Sequence, residues 1–173
     1  SLNLGLARAP ANLCMRLDFA LVIGTIFLVD QFTKLLASTY LNYAEPVSLL
    51  PFFSLTLLHN TGAAFSFLAD AGGWQQWLFL VLAVGVTAYS LWSVRDPDLC
   101  QWMQAGFVLL IPGAIGNAID RVAFGYVVDF LHFHWGDWSF PAFNVADTSI
   151  TLAAGCLLIG WYTDARHRPK LQS

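Results

Sequence analysis

Four aspartates, Asp30, Asp120, Asp129 and Asp147, stand at or beside the ends of long apolar stretches. A charged side chain at the middle of a membrane span costs about 2.5–3.5 kcal/mol on insertion scales, so such residues are functional candidates. Lys34 and Arg121 are the cations near them. Spacing groups these residues. Asp30 and Lys34, at i and i+4, can pair on one helix face. Asn117, Asp120 and Arg121, at i, i+3 and i+4, share a face if their helix runs that far. Asn144 and Asp147, at i and i+3, share another.

The chemistry such a cluster can do is narrow. The chain offers no paired Ser and His, no reactive cysteine with a base, and no HExxH. Two carboxylates held close in a low dielectric cannot both ionise, so they share one proton and titrate as a unit. That state suits amide hydrolysis. The ionised carboxylate takes a proton from water, and the protonated one polarises the carbonyl. Asparagine amides can orient the water or the oxyanion. Spacing alone leaves open which carboxylates pair. Asp120 competes for a place, although its neighbour Arg121 and its helix-end position favour charge balance or capping.

The elements that must position these residues lie in a bilayer. Of the 173 residues, 57% are hydrophobic and 11% charged, against roughly 25% charged in soluble domains. The net charge of −3 and the lack of a basic stripe argue against nucleic acid as a partner. Residues 71–94 and 99–119 carry no formal charge within their apolar stretches and can each cross about 30 Å of hydrocarbon. Residues 17–41 and 143–162 are apolar but contain Asp30 with Lys34, and Asp147. The expected fold is an all-α membrane protein with four transmembrane helices, a small extracytoplasmic β-structure and an interfacial helix or loop. It is one membrane domain over residues 1–173, with extracytoplasmic segments 42–70 and 120–142. The β-structure is expected at 47–58, and a short helix plus loop at 120–142. Pro112 is a candidate kink in the third span, and Gly113 and Gly116 allow close helix approach.

Arg8, Arg16, Arg95, Arg166, Arg168 and Lys170 fall on one side of a four-span chain, which makes that side cytoplasmic. Both termini are then cytoplasmic and the aspartates face outward. Tryptophans 92, 102 and 161 gather near one edge and 74, 77, 135 and 138 near the other, as two aromatic belts. The polar, proline-containing start is not expected to be a cleavable signal peptide, and the missing initiator Met points to a processed or engineered terminus.

Other readings carry less. His59, His132 and His134 read as solvated interfacial histidines rather than metal ligands, and no CxxC pair is present among the three cysteines. No metal and no cofactor is expected. A small proton-coupled carrier is the rival function, but carriers set their ionisable residues near mid-span, often in repeated halves. An inert scaffold subunit has little reason to hold so many asparagines and carboxylates together.

Five blocks carry a resemblance: DQFTK at 30–34, NTGAAF at 60–65, GAIGNAIDR at 113–121, GYVVDF at 125–130 and FNVAD at 143–147. In this order and spacing, over about residues 15–165, the chain resembles lipoprotein signal peptidase, or signal peptidase II. The resemblance implies that Asp129 and Asp147 form a catalytic dyad. It implies that Asn60, Gly62, Asn117, Asp120, Arg121 and Asn144 line or brace the site, with Asp30 and Lys34 supporting it. It further implies an aspartyl endopeptidase of the bacterial inner membrane that cuts prolipoproteins just before a diacylglyceryl-modified cysteine, needs no metal and is blocked by globomycin. Its partners are then lipid-modified prolipoproteins and membrane lipids, and nothing demands more than a monomer. Segments 42–70 and 120–142 are expected to act as lids over the site.

Overall fold

Helix follows wherever the chain runs apolar for 20 residues or more. The structure, a computed structural model, describes residues 11–62 and 74–167. It contains α1 (Ala11–Tyr40), α2 (Trp74–Ser93), α3 (Gln101–Phe124) and α4 (Val145–His167). Four stretches within them are long and apolar enough to cross a membrane: Asp18–Tyr40, Trp74–Ser93, Gln101–Phe124 and Val145–Asp164. Their outer faces carry exposed Leu21, Leu28, Val81, Trp92 and Leu158. Such continuous apolar surface suits lipid and would drive aggregation in water.

Helix α3 is the inner helix, against which α1, α2 and α4 all pack. Two glycines permit this. A Cβ at Gly113 would lie 2.7 Å from Ala146 O, and one at Gly116 would lie 2.5 Å from Asp30 Oδ2. The close approach is thus written into the GAIG stretch. Pro112 lies inside α3, and the helix continues past it to Phe124. The end is set by Gly125, at φ 81°, whose N–H donates to Arg121 O at 3.0 Å. A left-handed glycine is the usual helix stop.

The remaining described elements form one antiparallel sheet: β1 (Val47–Leu50), β2 (Phe53–Asn60), β3 (Val127–Trp135) and β4 (Trp138–Ser139), in that order. The expected β-structure at 47–58 is therefore present. Residues 120–142 differ from the expected short helix plus loop. The first of them complete α3, and Val127–Trp135 is a strand. The physical reason is the alternating VVDFLHFHW run, rich in β-branched and aromatic residues, which finds β2 as a partner. A bulge in β2 between Leu55 and Leu58 sets Leu58 opposite Asp129 and Asn60 opposite Val127. On β3, Val128 and Phe130 turn inward and pack with Leu57 and Ala37, which ties the sheet to α1. Asp129, between them on the strand, is directed to the other face, as strand alternation requires.

Candidate active site

The site has a floor and a rim. Lys34, 4% exposed, is the centre of the floor. Its Nζ lies 2.9 Å from Asp30 Oδ2 and 2.9 Å from Asp120 Oδ2, and it donates to Asn117 Oδ1 at 3.0 Å. The three protons of an ammonium are thereby all used. Each carboxylate then reaches a backbone N–H on another element. Asp30 Oδ1 accepts from Ala146 at 2.8 Å, in the first turn of α4. Asp120 Oδ2 accepts from Val128 at 3.1 Å, in β3. Gln31 Nε2 lies within 3.4 Å of Asp30 Oδ2, Asp120 Oδ1 and Gly116 O. Sequence reasoning missed Gln31, although it sits inside the DQFTK block.

The rim carries Asp129 and Asp147. Asn144 is the N-cap of α4 and Asp147 its N3 residue. Asn144 Oδ1 accepts the Asp147 N–H at 2.8 Å, and the Asn144 N–H donates back to Asp147 Oδ2 at 3.3 Å. This is a capping box with Asp in place of Glu. It fixes which way the Asn144 amide points. Its Nδ2 therefore donates, to Asp129 Oδ1 at 2.7 Å and to Asn117 Oδ1 and Val128 O at 3.2 Å each. Asn117 Nδ2 in turn donates to Asp147 Oδ1 at 2.7 Å. Asn60 works the same way. Its Oδ1 accepts the Gly62 N–H at 2.9 Å, which leaves Nδ2 to donate to Asp129 Oδ2 at 3.0 Å. Both carboxylates are held by amides from more than one element.

Burial pushes the Asp129 carboxyl up to about 7, and the charge of Asp147 adds to the rise. The Asn60 and Asn144 donors and the Lys34 charge pull against it. Among the described residues, ion pairs to Lys34 are formed by Asp30 and Asp120 and not by Asp129 or Asp147.

Of the ten residues singled out from sequence, eight join this one network: Asp30, Lys34, Asn60, Asn117, Asp120, Asp129, Asn144 and Asp147. Gly62 closes the turn that orients Asn60. Arg121 stands to one side. It donates to Asn117 O at 3.3 Å and lies over the Phe79 ring, 4.9 Å from its centroid. Asp120 thus finds its cation in Lys34 rather than in its neighbour. The histidines lie elsewhere. His59 stacks on Tyr126, while His132 and His134 bond Thr56 and Ser54 on the sheet.

The family description "Signal peptidase (SPase) II" matches residues 22–163. The chain belongs to the signal peptidase II family. It is 50% identical to the lipoprotein signal peptidase of Acinetobacter baumannii over 143 residues, 82% of this chain and 81% of that one. It is 53% identical to that of Acinetobacter baylyi over 133 residues, 76% and 74% of the two chains. Among solved structures it resembles a bacterial membrane enzyme determined in meso at 2.3 Å, with TM-score 0.77 and 27% identity over 90% of this chain and 94% of the other. A second, at 1.9 Å, gives TM-score 0.74 and 29% identity over 85% and 94%. Family membership makes this an aspartic-type peptidase that removes signal peptides from prolipoproteins, working as a multi-pass bacterial membrane protein.

Proposed function

We propose that Asp129 and Asp147 are the catalytic pair of this signal peptidase II, and that Asp30, Lys34, Asn117 and Asp120 are the frame that holds them. One observation carries the reading. Lys34 forms ion pairs with Asp30 and Asp120, whereas Asp129 and Asp147 form none with it and are bound by neutral amides. The bond cut is the peptide bond just before a diacylglyceryl-modified cysteine. The ionised carboxylate takes a proton from water, whose oxygen bonds to the scissile carbonyl carbon. The protonated carboxylate gives its proton to the carbonyl oxygen. The tetrahedral intermediate then breaks its C–N bond, and the cysteine amine leaves carrying a proton from the pair. No metal enters the reaction.

The site faces the extracytoplasmic side of the inner membrane, with both termini cytoplasmic, as the placement of Arg95 and the terminal basic residues supports. Its four spans and sheet act as one membrane domain, as a monomer. Segments 42–70 and 120–142 cover the bound substrate; residues 63–70 lie outside the described residues. Arg121 and Gly62 border the site, and globomycin-type cyclic peptides occupy it. The test uses purified enzyme in detergent with a diacylated prolipoprotein, read as a gel shift. Asp129→Asn and Asp147→Asn should each abolish the shift while the protein stays folded. Normal cleavage by both variants would sink the assignment.

A further inference from the structure

A groove of about 400 Å³ leads away from Asp147 along the outer turns of α4. It is walled by Phe140, Pro141 and Phe143 on one side and by Thr148, Thr151 and Leu152 on the other, with Asp147 at its inner end. We propose that this groove receives an acyl chain of the substrate's diacylglyceryl-cysteine, with Leu152 limiting how the chain lies. The inference rests on the reading of Asp129 and Asp147 as the catalytic pair.

Three features favour hydrocarbon over peptide as the occupant. The first is polarity. Both threonine hydroxyls are turned back into their own helix: Thr148 Oγ1 donates to Asn144 O at 3.0 Å, and Thr151 Oγ1 to Asp147 O at 2.9 Å. Both hydroxyls have thus given their protons to the helix backbone. A peptide lying there would bring N–H and C=O groups needing partners, whereas an acyl chain brings none. The second is access. Leu152 is 56% exposed and begins an exposed apolar stripe that continues through Ile159 and Tyr162 on the membrane-spanning part of α4. A chain anchored in the bilayer can slide from lipid into the groove without crossing water. The third is position. The lipidated cysteine follows the scissile bond directly, so its glyceryl group must leave the catalytic pair within a few ångströms, and this groove starts at one of the two carboxylates.

The chain exchanges lipid for protein on entry, so no gain from desolvation arises and fit alone decides selectivity. Leu152 is therefore the position to vary. Leu152→Trp adds bulk toward hydrocarbon rather than into packed protein, and Leu152→Ala opens the same place. Prolipoproteins carrying two long or two short acyl chains are compared on each enzyme. For Leu152→Trp, the ratio of kcat/KM for long over short chains should fall at least fivefold below the parent's; for Leu152→Ala it should hold or rise. A diazirine at the end of the acyl chain, bound to Asp129→Asn enzyme, should label the peptide covering residues 140–152. Labelling confined to residues 83–91 and 115–123, which line a second apolar groove between α2 and α3, overturns the inference. An unchanged ratio in both Leu152 variants overturns it too. Failure of the parent enzyme to cut either substrate instead overturns the proposed function, and the labelling then still reports where the chain sits.

Discussion

Asp30 Oδ1 accepts the backbone N–H of Ala146 at 2.8 Å, so a side chain of the first helix caps the last one. Asp120 does the same for β3 through Val128. Lys34 joins the two carboxylates from below. The strand that carries Asp129 and the helix that carries Asp147 are thus hung from one ammonium group. The spacing of the two rim carboxylates is set by a charge network that neither of them joins by an ion pair.

Removing that ammonium should be costly. Lys34→Met leaves Asp30 and Asp120 buried without a cation. Breaking a buried ion pair by deleting one partner costs about 3–5 kcal/mol. The expected result is a large drop in thermal stability in detergent, with partial recovery in Lys34→Met/Asp120→Asn because one uncompensated charge is gone. Equal stability of Lys34→Met and the parent would show that the network does not hold the fold.

Much of this was legible in the chain. The i, i+4 pairing of Asp30 with Lys34 follows from helix geometry, and it is observed at 2.9 Å. The NxxD pattern at 144–147 puts both residues on one face, and the structure adds that it is a capped helix start. What could not be read are the bonds across the chain. Ala146 N and Val128 N carry no side-chain signature, and the β2 bulge that turns Leu58 toward Asp129 depends on pairing. Adjacency points to Arg121 as the cation that balances Asp120, whereas the fold brings Lys34 to it at 2.9 Å. Phe79, in the second span, carries no charge to mark it, yet it lies beneath Arg121.

Asp129 should make stability depend on pH. The fold holds its carboxyl up to about 7, against an ordinary value of 3.8. Folded molecules then bind more protons than unfolded ones between those values, so this group's contribution falls as pH rises from about 4 to 7. Asp129→Asn removes that dependence. The Tm of the variant minus that of the parent should increase between about pH 5 and pH 8. A constant difference would mean that Asp129 ionises in the fold as it does in water. In catalysis, the alkaline limb of kcat/KM should set in near 7, where the pair loses its shared proton.

Asn144 performs two tasks that two substitutions separate. Asn144→Asp keeps a good N-cap acceptor but replaces the amide that donates to Asp129 with a further carboxylate. Cleavage should fall by about 10²-fold or more, and any loss of stability should come from the new charge buried beside Asp129 rather than from lost capping. Asn144→Ala should lose the donor and also about 1 kcal/mol of capping. If Asn144→Asp cleaves at the parent's rate, the amide has no part in the chemistry.

Gly62 offers a test of how Asn60 is aimed. Its φ of +91° is a conformation that side chains resist, and an added Cβ would lie 2.6 Å from Phe79 Cε2. Gly62→Ala should therefore cost about 1–3 kcal/mol. The sharper consequence is electrostatic. The Gly62 N–H holds Asn60 Oδ1, and only in that pose does Asn60 Nδ2 face Asp129. The Asn60 donor lowers the Asp129 pKa, against burial. Freeing it lets that pKa climb, so the alkaline limb of kcat/KM should move to higher pH. Asn60→Ala should move it in the same direction without the backbone strain. A merely structural glycine would lower stability and leave the limb where it was, and that outcome would separate Asn60 from the ionisation of Asp129.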